Sequence, residues 1–200
     1  MNISNPEFWQ EKYVTNNIPW DTRTTTPALI NSIDHSESKK IAILGCGYSK
    51  DSIFLAKKSH SIYAIDFAVK PIEYLNHIKK REALDTLFPV HVDIFNLSSK
   101  YISFFDIVIE YTCFCAIEPR RRSEYVKLVS KILNNNGQFI ALFFPTAKKE
   151  NQVKPPPFYV DLDETLLMFK NNFNIVKINK SPDSIKPRRG YETLAIMNKI

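Results

Sequence analysis

Glycine is scarce in this chain: four residues in 200, at positions 45, 47, 137 and 190. Such thrift makes each placement informative. Long apolar runs are missing too. The longest, Phe139 to Phe144, falls far short of the roughly 20 residues that a membrane-spanning helix needs. The residues around Pro6, Glu7 and Trp9 lack the basic-then-apolar layout of a secretory signal, so a cytoplasmic protein is expected. Cysteine is limited to Cys46, Cys113 and Cys115. An odd number in apolar surroundings excludes a disulfide framework, and the spacing excludes a zinc site. The three read as reduced thiols, and no metal is expected. There is no internal repeat.

What is present suits one globular unit. The apolar content of 44% can fill a core in a chain of this length, and a single domain over residues 1–200 is expected. The formal charge of +6 invites a phosphate-rich partner, because clustered Lys and Arg neutralise phosphates. The basic residues are instead scattered among Asn and Ser. The densest run, Arg120 to Arg122, opens a helix whose outer face is solvated. No nucleic acid and no membrane partner is expected; a small-molecule substrate and a monomer are.

Strand-like and helix-like segments alternate, the mark of a sheet with crossover helices. Ile41–Leu44 reads as a strand, Asp51–Lys58 as a helix, Ser61–Ile65 as a strand, and Pro71–Arg81 as a helix with proline in its first turn. Strands follow at Val90–Val92, Ile107–Glu110 and Gln138–Phe144. The last two are separated by a helix over Arg121–Leu133 that ends at an Asn134–Gly137 turn. A helix near Asp163–Asn171 then leads to strands Ile175–Asn179 and Thr193–Met197, a closing antiparallel hairpin. Two stretches stand outside this pattern: residues 1–38, polar but carrying Trp9, Tyr13 and Trp20, and the Lys- and Pro-rich loop Lys148–Pro157. Both read as cover over a site, with an ordinary disordered leader and a surface loop as the alternative.

Gly45 and Gly47 stand directly after the first strand, in Leu44-Gly45-Cys46-Gly47. A loop at the carboxyl end of that strand needs residues without Cβ where backbone approaches a ligand, and the next helix N-terminus receives polar groups. A glycine pair also makes plain tight turns, so the feature is weak alone. Asp66 ends the second strand, where a carboxylate accepts hydrogen bonds from both hydroxyls of a ribose. Asp93 follows the third and can reach an adenine amino group, with Ile94 and Phe95 on the ring; a turn or helix-cap aspartate is the other reading. A dinucleotide loop needs a third glycine where this chain has Lys50, and the following Asp51 repels diphosphate. S-adenosylmethionine lacks phosphate and carries an ammonium and a sulfonium, which carboxylates and aromatic faces favour. The balance tips to that methyl donor.

The pattern then becomes specific. Ile18-Pro19-Trp20-Asp21 after Phe8-Trp9, Leu44-Gly45-Cys46-Gly47 with Asp51, Asp93-Ile94-Phe95, and above all Tyr111-Thr112-Cys113-Phe114-Cys115-Ala116-Ile117-Glu118-Pro119 resemble the thiopurine, thiol and halide methyltransferase family. Pro156-Pro157-Phe158-Tyr159-Val160 and Arg188-Arg189-Gly190-Tyr191-Glu192 extend the resemblance nearly end to end. It implies a Rossmann-like α/β fold of class I methyltransferase type, with a seven-stranded, mostly parallel sheet closed by the C-terminal hairpin. It also implies that Trp9, Tyr13 and Trp20 fold over the donor as a lid, that Gly45 meets its methionine portion, and that Asp66 holds the ribose. Asp93 and Ile94 frame the adenine, and Tyr111 lines the pocket near the transferred methyl.

Methyl transfer from a sulfonium is an in-line displacement, which asks the protein for alignment and exclusion of water. Soft anions need no general base, and His35, His60, His77 and His91 all fall outside the motifs. Positive charge for such an acceptor falls to Arg188 and Arg189, with Arg189 and Tyr111 as the candidate catalytic pair. The implied acceptors are a thiol, a thiopurine, thiocyanate, a halide or a selenium or tellurium compound. Two departures from the family pattern stand out. Tyr48-Ser49 replaces a further glycine, and Phe67 follows Asp66 in place of a small polar residue. Ser49 and Phe67 support the alternative of a diverged binding protein without catalysis.

Overall fold

The computed structural model describes residues 3–147 and 155–200. β1 (Lys40–Leu44) and β4 (Phe105–Tyr111) are apolar on both faces because helices cover both sides of the sheet. The sheet order is β3-β2-β1-β4-β5-β7-β6, with β2 at Ser61–Asp66, β3 at Leu87–His91, β5 at Leu133–Phe143, β6 at Phe173–Asn179 and β7 at Thr193–Lys199. The first five strands are parallel. β7 slots antiparallel between β5 and β6, which completes the expected hairpin. Strand order reverses between β1 and β4, and a crevice opens at the carboxyl ends of the strands beside such a reversal.

α3 (Lys50–Lys57) and α4 (Val69–Arg81) cover one face. α4 buries Pro71, Ile72, Leu75 and Ile78 at helical spacing, while Lys79, Lys80 and Arg81 close its last turn against the helix dipole. Their core includes Ile41, Ile43, Leu55, Ile62 and Leu75. The opposite face carries α5 (Arg122–Ile132) and α6 (Leu162–Phe169) over a core rich in rings, among them Phe105, Phe114, Tyr125, Phe139 and Phe169. The leader folds as α1 (Pro6–Val14) and α2 (Pro27–Ile30), and α2 buries Ala28, Leu29 and Ile30. No helix among the described residues is long and apolar enough to cross a membrane.

Several boundaries differ from the sequence reading, most by one or two residues, and three differences have a physical reason. β3 extends back through Pro89 because it is an edge strand, where a missing N–H is tolerated. α4 begins two residues before Pro71, which still sits in the first turn. The expected Asn134–Gly137 turn lies inside β5: Phe105 pairs with Leu133 and Ile107 with Gln138, so the four residues bulge out, with Asn136 at φ 66°. Of the Lys148–Pro157 loop, residues 148–154 lie outside the described residues.

Candidate active site

At the carboxyl ends of the strands lies a cavity of about 730 Å³, walled by the β1 and β4 loops, the residues after β2 and β3, and the leader. Gly45 and Gly47 both take left-handed backbone, at φ 59° and 53°. A Cβ on Gly45 would stand 2.9 Å from Cys113 Sγ, and one on Gly47 would stand 2.9 Å from the Tyr13 hydroxyl. Each glycine therefore clears space for a second element: the loop after β4 in one case, the leader in the other.

Asp66 lines the cavity at 5% exposure. Its Oδ2 accepts the Gly47 N–H at 2.9 Å and its Oδ1 accepts the Ala68 N–H at 2.9 Å, so the carboxylate ties the β1 loop to the start of α4. Burial pushes this carboxyl up to about 6, and the N–H groups of Ala68 and Gly47 restrain the rise. Asp93 caps the short helix Ile94–Ser99 by accepting the Phe95 N–H at 3.0 Å, which makes it both the cap and a wall residue. Ile94 and Phe95 line the same wall, and the Arg121 guanidinium lies 3.7 Å from the centre of the Phe95 ring.

The leader covers the opening with rings. Trp9, Tyr13 and Trp20 all line the cavity. Trp9 and Trp20 meet edge to face at 5.3 Å, Tyr13 and Trp20 at 5.8 Å, and the indole N–H of Trp20 donates to the Tyr13 hydroxyl at 3.4 Å. Tyr48, one of the two departures, continues this ladder at 5.1 Å from Tyr13 and 4.8 Å from Tyr74 on α4. It joins the leader to the body and forms no part of the main cavity wall. Phe67, the other departure, does line the cavity.

Seven of the expected donor residues thus share one cavity: Trp9, Tyr13, Trp20, Gly45, Asp66, Asp93 and Ile94. The two candidate catalytic residues lie elsewhere. Tyr111 borders a neighbouring recess of about 60 Å³, together with Asp21, Ser49 and Asp51, and its hydroxyl donates to Glu192 at 2.8 Å. Arg189 is exposed and stands off the wall. The residue before it, Arg188, is the buried one of the helical turn Lys186–Arg188, whose other two residues are exposed. Arg188 is 7% exposed, lies 3.9 Å over the Phe144 ring, and gives a hydrogen bond from Nη2 to the Trp20 carbonyl at 3.3 Å. Its Nη1 is buried with no hydrogen-bond partner among the described residues. Asp51, expected near the donor's cationic groups, instead accepts the Thr26 N–H at 2.7 Å and secures the leader.

Sequence reasoning passed over Cys113, Cys115, Phe144 and Pro187 as wall residues. The loop after β4 is a recognisable motif in the sequence, but its residue types alone do not tell which side chains face inward. No histidine belongs to the described wall. The site has the parts to hold a nucleoside with a cationic tail: a left-handed glycine turn at Gly45 on the wall, a buried carboxylate at Asp66, an apolar and aromatic flank, and a volume suited to a small-molecule ligand.

Comparison with known proteins agrees. The family model described as thiopurine S-methyltransferase matches residues 4–199. The chain is 26% identical over 198 residues to thiocyanate methyltransferase 1 of Arabidopsis thaliana, covering 96% of this chain and 84% of that protein. It is 26% identical over 184 residues to the thiopurine S-methyltransferase of Vibrio parahaemolyticus, covering 82% and 81%. Among solved structures, the 1,6-didemethyltoxoflavin-N1-methyltransferase of Burkholderia thailandensis, with bound S-adenosylhomocysteine, superposes with a TM-score of 0.75 at 15% identity, over 97% of this chain and 86% of that one. With the family model spanning almost every residue and the fold matching, the chain belongs to the thiopurine S-methyltransferase family and is an S-adenosylmethionine-dependent methyltransferase.

Proposed function

We propose that the cavity is where this chain methylates a small soft nucleophile: a thiol, a thiopurine, thiocyanate, a halide, or a selenium or tellurium compound. The observation that carries this reading is the meeting, around one cavity, of the seven expected donor residues with the buried cation Arg188. When bound, S-adenosylmethionine supplies an electrophilic methyl group on a sulfonium. Asp66 is the acceptor for ribose hydroxyls, because an ionised carboxylate keeps lone pairs free after taking two N–H groups. Asp93, Ile94 and Phe95 frame the base, and Gly45 lines the end of the cavity proposed for the methionine tail, its missing Cβ making room for Cys113 beside it.

Arg188 gives the acceptor side its positive charge. Its guanidinium is pinned on Phe144 and beside Pro187, so an anionic acceptor meets a fixed cation in apolar surroundings. Tyr111 acts from the adjoining recess, its hydroxyl proton committed to Glu192 and its phenol pushed far above its ordinary range by burial and by that carboxylate. It therefore serves as a fixed hydroxyl and not as a base. A soft anion needs none.

Of the expected 1–38 lid, residues 3–38 act as a lid within a single domain, and residues 1–2 lie outside the described residues. The aromatic contacts of Trp9, Tyr13, Trp20 and Tyr48 close it over the cavity and exclude water from the reacting atoms. Three free cysteines suit the reducing cytoplasm. Titration calorimetry with S-adenosylmethionine and S-adenosylhomocysteine, with Asp66→Ala as control, tests the donor site: micromolar binding lost in the variant is expected. An acceptor screen across thiols, thiocyanate, iodide and selenium compounds then tests the class, and donor turnover with none of them would overturn it. The lid predicts protection of residues 1–38 from protease by saturating donor; unchanged cleavage would count against it.

A further inference from the structure

The loop after β4 contributes Thr112, Cys113, Cys115, Ala116, Ile117 and Glu118 to the cavity wall. It starts from an unfavourable conformation. Thr112 sits at φ 59°, in the left-handed region that β-branched residues avoid, so its geometry must be imposed by neighbours. Glu110, 1% exposed and not itself a wall residue, supplies the constraint. Its Oε1 accepts the N–H of Cys113 at 3.1 Å and of Phe114 at 2.8 Å, while Oε2 accepts the Tyr125 hydroxyl from α5 at 2.9 Å. The carboxylate thus caps the turn Phe114–Ala116 and fastens it to the helix behind.

The position it fixes has little slack. Cys113 packs so close to Gly45 that a Cβ there would lie 2.9 Å from its sulfur and 3.0 Å from its own Cβ. A loop released by a fraction of an ångström would close on the glycine cradle or leave it open. We infer that Glu110 is a positioning residue for donor binding: it holds the Thr112 turn so that Cys113 sets the width of the cradle at Gly45. This rests on the reading of the cavity as the donor site.

The test measures S-adenosylhomocysteine affinity and thermal stability on the full chain. Glu110→Ala is expected to weaken binding about tenfold or more, as misplaced site geometry does. Glu110→Gln should stay near wild type, since the amide oxygen accepts both N–H groups and the amide nitrogen donates to the Tyr125 oxygen. Val129→Ala, a core truncation in α5 one helical turn beyond Tyr125 that leaves the Glu110 hydrogen bonds in place, should lower stability without changing affinity. Adding Thr112→Gly to Glu110→Ala should recover part of the binding, because glycine takes φ 59° without constraint. The inference is overturned if Glu110→Ala binds like wild type, if Val129→Ala weakens binding as much, or if the glycine recovers nothing. If Glu110→Ala alone fails to fold, binding by the double variant supports the inference; failure of both assigns Glu110 to the fold and refutes it. A wild-type protein that binds no S-adenosylhomocysteine is a separate result, and it refutes the donor-site reading.

Discussion

Donor affinity should depend on pH through Asp66. The side chain accepts two backbone N–H groups and, as the proposed ribose acceptor, must take further hydrogen bonds, which only the ionised form can do on every lone pair. Its burial holds the carboxyl at about 6, against an ordinary 3.8. Near pH 7 the group is mostly ionised and near pH 5 mostly protonated, so affinity should fall about tenfold over that interval, about 1.4 kcal/mol of binding. Above pH 7 it should be flat. Stability runs the other way: a carboxyl raised on folding contributes fully below pH 3.8, and that contribution is lost as pH rises through about 6. The protein thus gains donor affinity across the range in which Asp66 weakens the fold. Calorimetry with S-adenosylhomocysteine at pH 5, 6, 7 and 8 reads the effect, with Asp66→Asn expected to bind weakly at every pH. Glu110→Gln should keep the wild-type profile, which assigns the titration to Asp66. A wild-type affinity that is level from pH 5 to 8 would refute the reasoning.

Glu110, which burial raises to about 7 from an ordinary 4.5, should make the Gln variant gain on wild type as pH rises from 4.5 through 7. Between pH 5 and 8 the gain is up to about 2.5 kcal/mol, read from urea midpoints; a constant difference would mean that the three accepted hydrogen bonds cancel the burial. Gly47→Ala places a Cβ 2.9 Å from the Tyr13 hydroxyl at φ 53° and should lower Tm by about 4 °C. Tyr13→Phe in the same chain should recover part of the loss, and no recovery would show that the leader is not pressed on that glycine. Arg188→Lys keeps the charge but loses the planar fork, so kcat/KM for an anionic thiol should fall about tenfold. Arg189→Lys, at an exposed position off the wall, should leave it unchanged, and equal losses in both variants would return Arg189 to the site.

Much of this architecture was legible because local physics and tertiary structure agree. β1 and β4 are buried on both faces, so their apolar runs carry no competing signal. α4 announces itself by Ile72, Leu75 and Ile78 on one face and by its basic final turn. The reading erred where tertiary position decides. Pro89 looks like a strand breaker until β3 is known to be an edge, and Asn134–Gly137 looks like a free turn until the pairing of Phe105 with Leu133 shows it to be a bulge.

The site divides in the same way. Gly45, Asp66 and Asp93 could be found because each stands at the end of a strand, and strand ends converge in this fold. Of two adjacent arginines, sequence cannot say which points inward; the helical turn Lys186–Arg188 decides it. Tyr48 is the sharpest case. Read along the chain, a tyrosine in place of a glycine crowds the donor. In space it reaches Tyr13 and Tyr74 and leaves the main cavity, so the replacement works on the leader, adding a ring to the contact that keeps it down. Of the two residues behind the non-catalytic alternative, Ser49 caps α3 by accepting the Ser52 N–H at 3.0 Å and borders the smaller recess, while Phe67 stands on the main cavity wall.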